Sequence, residues 1–160
     1  MKKIISIFIK IVYSLAFFSA GALFIAKKAV PYITAKQKAL ERFSRLFTLM
    51  DDWMAKKQQG KSIARFLEGR GCRSAAIYGM SNLGERLAKD LEEDNFKVSY
   101  GIDRREIAAE IPMYKLEDDL PEVDTVIVTA LVAFDGIEEK LRKKLTCPVY
   151  SLEDAVYFME

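Results

Sequence analysis

A chain of 160 residues and 18.2 kDa can form one modest domain with an appendage. Histidine is absent, which removes the commonest general base at neutral pH, the usual zinc ligand and every Ser-His or Cys-His pair. The 25 Lys and Arg nearly balance the 23 Asp and Glu, yet the signs are segregated: residues 1–45 carry nine basic residues against Glu41 alone, and residues 46–160 carry sixteen against twenty-two acids. A basic segment ahead of an acidic domain suits a membrane surface, and no basic and aromatic patch recurs in the acidic part, so nucleic acid is not an expected partner.

From Ile4 to Ala26 the only charged residue is Lys10. As a helix, about 23 residues rising about 1.5 Å each give about 34 Å, enough to span a hydrocarbon core, with Lys10 near one end where it can snorkel. Met1-Lys2-Lys3, an apolar core and the small residues Ser19 to Ala22 also fit a cleaved signal peptide. The run continues through Leu23, Phe24 and Ile25 to Lys27 and Lys28, however, as a stop-transfer flank does. An interfacial helix is the third reading. Lys27, Lys28, Lys36, Lys38, Arg42 and Arg45 outnumber Lys2 and Lys3, so a spanning segment would leave the C-terminal domain in the cytoplasm.

Pro31 should end or kink that helix. Apolar residues then recur at three and four positions (Leu40, Phe43, Leu46, Phe47, Met50, Trp53, Met54), which predicts an amphipathic helix from about 35 to 58, stopped by Gly60. Such a stripe either packs on its own domain or serves as a dimerisation or partner surface. The organisation expected is an anchor over 1–30, a juxtamembrane helix over 31–59 and an α/β domain over 60–160.

Within that domain a short helix from about Ser62 turns Ile63, Phe66 and Leu67 inward. Strands are expected over 74–79, 97–102, 113–114, 123–130 and 148–151. Helices are expected over 82–93 and 134–145, with a turn of helix at 117–120 and another capped by Ser151. Asn82 and Glu85 have the spacing of a capping box, and Asp135 is a further candidate cap. Alternation of this kind predicts a single parallel sheet of about five strands, in the order 3-2-1-4-5. Cys72 and Cys147 fit no metal-ligand spacing and read as two reduced, partly buried thiols.

The chemistry concentrates where the first two strands end. The apolar run to Tyr78 stops at Gly79, a turn follows, a helix starts near Asn82, and the next strand ends at Asp103. Strand, glycine turn, helix, strand and acid are the parts of a Rossmann-type nucleotide site. The glycine makes the turn, the helix start faces a phosphate, and the acid accepts ribose hydroxyls. The spacing is Gly79, Ser81, Gly84, so a serine replaces the middle glycine of G-x-G-x-x-G.

Candidate ligand contacts are Gly79, Met80, Ser81, Asn82, Leu83, Gly84, Asp103, Arg104 and Thr129. Asp103 can equally be a solvated acid paired with a neighbouring arginine, and Arg104 with Arg105 can accept an extra phosphate. The acid runs Glu92-Glu93-Asp94 and Glu117-Asp118-Asp119 read as solvated faces. Tyr32 and Lys36 have dehydrogenase spacing but precede the fold, and no acid/base pair can be assigned.

Lys61-Ser62-Ile63-Ala64, Ile77-Tyr78-Gly79-Met80, Leu83-Gly84, Gly101-Ile102-Asp103, the 123–130 strand, Cys147-Pro148 and Ser151-Leu152-Glu153-Asp154 give residues 60–158 a likeness. They resemble Rossmann-type modules of bacterial surface-polysaccharide gene clusters, akin to the N-terminal half of nucleotide-sugar epimerases and dehydratases. The resemblance implies NAD(P) or a nucleotide-sugar as ligand, held by Gly79, Gly84 and Asp103. It also implies a place at the inner membrane and a polysaccharide-biosynthesis enzyme as partner. The chain departs from that pattern at Ser81 and in lacking a catalytic half. A binding module is therefore expected first, a ligand-free interaction domain working through the 35–58 helix second, and a nucleotide-sugar oxidoreductase or epimerase subunit third.

Overall fold

The computed structural model describes the backbone of residues 2–160, the side chains of residues 29–160, and those of Ile7, Lys10, Ile11, Tyr13, Ser14, Phe17, Phe18 and Lys27. The chain divides into two compact units, Met1–Leu46 and Phe47–Glu160. One helix, α1 (Lys2–Gln58), supplies the described residues of the first and opens the second.

Of the two expectations for Pro31, an end or a kink, the end does not occur: α1 continues through it. A proline inside a helix forfeits one i→i−4 hydrogen bond and costs about 3 kcal/mol. Here the Ala35 to Arg42 run of strong helix formers carries the helix on, and the Thr34 hydroxyl lies 3.0 Å from the carbonyls of both Val30 and Pro31. Among the described residues no helix is long and apolar enough to cross a membrane. The anchor expected over 4–26 falls largely on side chains outside the described ones.

The second unit is an α/β domain. After the last turns of α1 come α2 (Ile63–Glu68), β1 (Ser74–Tyr78), α3 (Asn82–Glu93), β2 (Lys97–Ile102), β3 (Met113–Tyr114), β4 (Thr125–Val128), α4 (Phe134–Arg142), β5 (Val149–Ser151) and α5 (Leu152–Tyr157). All strand pairs are parallel and the order is β3-β2-β1-β4-β5, as the alternation predicts. The switch of direction falls between β1 and β4.

Period two along the strands sorts side chains onto two faces. Ala75, Ile77 and Ile127 join Leu49 and Trp53 of α1 and the apolar sides of α2, α3 and α5 in one core. Ala76, Tyr100, Ile102, Val126, Val128 and Val149 meet Ile137 and Leu141 of α4 in the other. Burying side chains such as Ile77 or Leu141 stabilises the fold by about 1.5–3 kcal/mol each before entropy is counted.

The second face is thinly roofed. The crossover from β3 to β4, residues 115–124, contains no helix, although a turn of helix was expected at 117–120. Pro121 disfavours helical backbone at Leu120, and the Asp118 carboxylate instead accepts the Lys115 N–H at 2.7 Å to make an isolated turn. Leu116, Leu120 and Val123 lie over the sheet from this crossover. Tyr100 fastens it by donating to the Pro121 carbonyl at 2.7 Å. Burial pushes the Tyr100 phenol up to about 12, so it remains a neutral donor.

The stripe on α1 divides. Leu49 and Trp53 are buried in the domain core and Met50 is half-buried, whereas Phe47 and Met54 are exposed. Leu40 and Phe43, in the first unit, are exposed as well. Ser62 caps α2 and Ser151 caps α5, the latter accepting the Asp154 N–H at 3.0 Å as its spacing predicts. Both cysteines are free thiols, Cys72 buried and Cys147 half-buried.

Candidate functional site

β1 ends at Tyr78 and the chain turns at Gly79 with φ +93°, a conformation glycine adopts without a Cβ penalty. The turn is packed from two sides. A Cβ at Gly79 would lie 2.6 Å from Thr129 Oγ1, and one at Gly84 would run into the Gly79 carbonyl oxygen. Thr129, buried at the end of β4, donates its hydroxyl to that same carbonyl at 2.6 Å. Glycine at 79 and 84 is thus required by the approach of α3 and β4 to one turn.

The start of α3 differs from the capping box expected. Ser81 is the N-cap, its side chain makes no cap bond, and Glu85 donates its N–H to the Ser81 carbonyl at 2.9 Å. The turn is braced by Asp103 instead. Asp103 Oδ2 accepts the Met80 N–H at 3.0 Å and Arg105 Nη2 at 3.3 Å. Oδ1 accepts the Arg105 N–H at 2.9 Å and Nε at 3.2 Å. Burial pushes the carboxyl up, but the Arg105 bonds and the Met80 N–H outweigh it and hold Asp103 below the ordinary carboxylate value.

A carboxylate whose folded value lies under its unfolded one stabilises the fold above the unfolded value; the contribution is lost as pH falls through the folded value. Acid should therefore weaken the domain below the ordinary 3.8 of an aspartate, and Asp103→Asn should lack that share of the loss. Urea midpoints measured between about pH 5 and pH 2 test this. Parallel declines in the two proteins would remove Asp103 from the account.

Beside the turn lies a cavity of about 540 Å³ at the carboxyl ends of the strands, in the size range of small-molecule sites. Gly79, Ser81, Asp103, Arg104 and Thr129 line it, so five of the nine candidates converge there. The other four do not line it. Met80 is buried in the core and contributes its N–H to Asp103; Leu83 packs on the same core, Gly84 is buried under the turn, and Asn82 is exposed.

The wall supplied by α4 (Ala133, Gly136, Ile137, Lys140) and the crossover residues Leu116 and Glu117 escaped sequence reasoning. The α4 residues sit three and four apart, so one helical face carries them all. That spacing was the signal that could have placed Lys140 at the site.

Three cations and two acids line the cavity, a surplus of one positive charge. Arg105 is spent on Asp103. Arg104 and Lys140 make no hydrogen bond or ion pair among the described residues, and neither does the Ser81 hydroxyl. The Tyr78 phenol also lines the cavity, pushed above its ordinary value by burial. With Tyr78 raised and Asp103 lowered, neither titrates near neutrality. Such a site can hold an anion through Arg104, Lys140, Ser81 and the amino end of α3, with Tyr78, Leu116 and Ile137 as apolar floor.

Comparison with protein-family models, with curated proteins and with solved structures finds no match for this chain. Among the described residues no group of three or more Cys, Asp or Glu is placed to hold a metal ion.

Proposed function

We propose that the chain is a membrane-anchored, Rossmann-like module that binds a nucleotide, NAD(P) or a nucleotide-sugar, and has no catalytic centre of its own. The observation carrying this reading is the cavity at the switch point, where a glycine turn and a helix start adjoin two cations unpaired among the described residues. Tyr78 raised and Asp103 lowered, both away from neutrality, favour binding over turnover at these two groups.

The anchor is supported by the apolar composition of residues 4–26 and by exposed Phe17 and Phe18 at 85% and 79%. The excess of cations after residue 26 supports a cytoplasmic domain at the bacterial inner membrane. Service in cell-surface polysaccharide biosynthesis, beside an enzyme of that pathway, rests on the resemblance of residues 60–158.

Thermal unfolding of the full chain in detergent, with nucleotides added singly, tests the reading. A ligand at a hundred times its dissociation constant should stabilise the domain by about 2.7 kcal/mol. Charge removal at Arg104 or Lys140 should shrink that gain. No gain with NAD(H), NADP(H) or any nucleoside-diphosphate sugar would refute the proposal.

A second reading is favoured by a different place. A groove of about 350 Å³ between the end of α1 and α3 is lined by Met50, Trp53, Met54, Lys57, Arg86 and Lys89, among others. With Phe47 exposed beside it in sequence, this surface would suit an interaction domain without a small ligand. Light scattering that finds a dimer dissociated by Met54→Glu, together with no nucleotide response, would favour this second reading.

A further inference from the structure

The Asp103 carboxylate has room for about four hydrogen bonds, two at each oxygen. All four are taken: the Met80 N–H and three from Arg105. The group that would accept a ribose diol in a dinucleotide site is therefore saturated by its own chain. Two of the four bonds come from the Arg105 side chain, which is 66% exposed and can be removed without opening the core.

The remaining polar groups of the cavity are of a different kind. Arg104 and Lys140 are unpaired among the described residues and come from different elements, the segment after β2 and α4. Ser81 adds a hydroxyl at the start of α3, where a side chain also narrows the approach a bridging pyrophosphate would need. Glu117, whose carboxylate makes no hydrogen bond among the described residues, lines the wall from the crossover. A free nucleoside diphosphate carries about three negative charges near neutrality, and one carrying a sugar about two. The dinucleotide NAD+ carries two on its phosphates, offset by one on the nicotinamide. Two free cations around a cavity with surplus positive charge suit the former.

We propose that the Asp103–Arg105 pair closes the ribose position, so that the cavity selects by net negative charge through Arg104 and Lys140 and takes a nucleoside diphosphate, free or carrying a sugar, rather than a dinucleotide. This rests on the nucleotide reading above and narrows it. Arg105 is a specificity-determining residue under this proposal, and its removal should change which ligands are accepted more than how tightly phosphate is held.

The test is calorimetric titration of the full chain with ADP and UDP, each beside its 2′-deoxy form, and with NAD+. Wild type should bind a diphosphate at least tenfold tighter than NAD+ and be indifferent, within about twofold, to loss of the 2′-hydroxyl. Lys140→Ala and Arg104→Ala should each weaken diphosphate binding by about tenfold. Arg105→Ala, with Asp103 unmasked, should prefer the ribose form of the same diphosphate by about tenfold. All three side chains are exposed, and the Trp53 fluorescence of each variant reports whether it remains folded.

Wild type preferring NAD+, or losing affinity for 2′-deoxy forms, would overturn the closure while leaving nucleotide binding intact. So would diphosphate binding that survives the loss of both Arg104 and Lys140. Failure of every ligand to bind wild type and Arg105→Ala alike would sink the nucleotide reading itself.

Discussion

Trp53→Ala is expected to destabilise the Phe47–Glu160 unit by about 3–5 kcal/mol, the range for truncating a large buried aromatic. Trp53 is 4% exposed and shares a core with Leu49, Leu87 and Leu91. Its indole N–H donates to Asp90 Oδ2 at 3.2 Å. Asp90 is itself buried, and its other oxygen is paired with Lys57, whose pKa the Asp90 hydrogen bond raises. Truncation thus opens a cavity and strips a buried carboxylate of a neutral donor, leaving Lys57 alone to balance it. Trp53→Phe keeps most of the volume and should lose only about 1–3 kcal/mol. Urea unfolding followed by far-ultraviolet circular dichroism measures both. A loss under about 1 kcal/mol for the alanine variant would show that the end of α1 does not depend on this contact.

Gly84→Ala should cost about 1–3 kcal/mol, because the added methyl meets backbone, the Gly79 carbonyl, which cannot swing aside as a flexible side chain does. Relief requires α3 to move off the turn, and with it Ser81 and the Met80 N–H that Asp103 holds. Affinity for any ligand of the cavity should fall with stability. Gly136 on α4 is the control. A methyl there meets nothing within 4 Å, and replacing a helical glycine by alanine should raise stability by about 0.5–1 kcal/mol. The same chemical change should move the thermal midpoint in opposite directions at the two positions. A common direction would mean that the close approach of α3 to the turn is not as described.

What the sequence discloses follows from how local each signal is. The Val-Ile-Val run of β4, the glycine turn after Tyr78 and the Leu87 and Leu91 spacing of α3 each report their own burial, so five strands and their order are legible. Ends are less so: β4 is Thr125–Val128, although apolar residues extend over 123–130. Asp103 was legible as a strand-end acid with a neighbouring arginine available. That Arg105 and Met80 together exhaust its acceptors depends on how the chain folds back, which no spacing states. Lys140 belongs to a helix whose charges look uniformly solvated until α4 is set against the end of β4. The stripe on α1 was legible in part, since Trp53 packs on its own domain as one of the two readings expects. Leu40 to Met54 share a helical period, but within the Phe47–Glu160 unit it is Leu49 and Trp53 that are buried while Phe47 and Met54 are exposed, and Leu49 lies off the line that the larger residues draw.

The fastening of α1 also bears on the order in which a ribosome makes this chain. Lys56 donates to the carbonyls of Val156 and Tyr157, and Trp53 to Asp90, partners 100, 101 and 37 residues further on. Leu49, Trp53 and Lys56 are therefore made well before their cover is complete, and α5 is the last of their partners to be synthesised. Domains generally complete as units during synthesis, and apolar surface exposed in the meantime is prone to aggregate. Under the membrane anchoring proposed above, a nascent helix delivered early to a lipid surface would spend that interval with its apolar residues out of water.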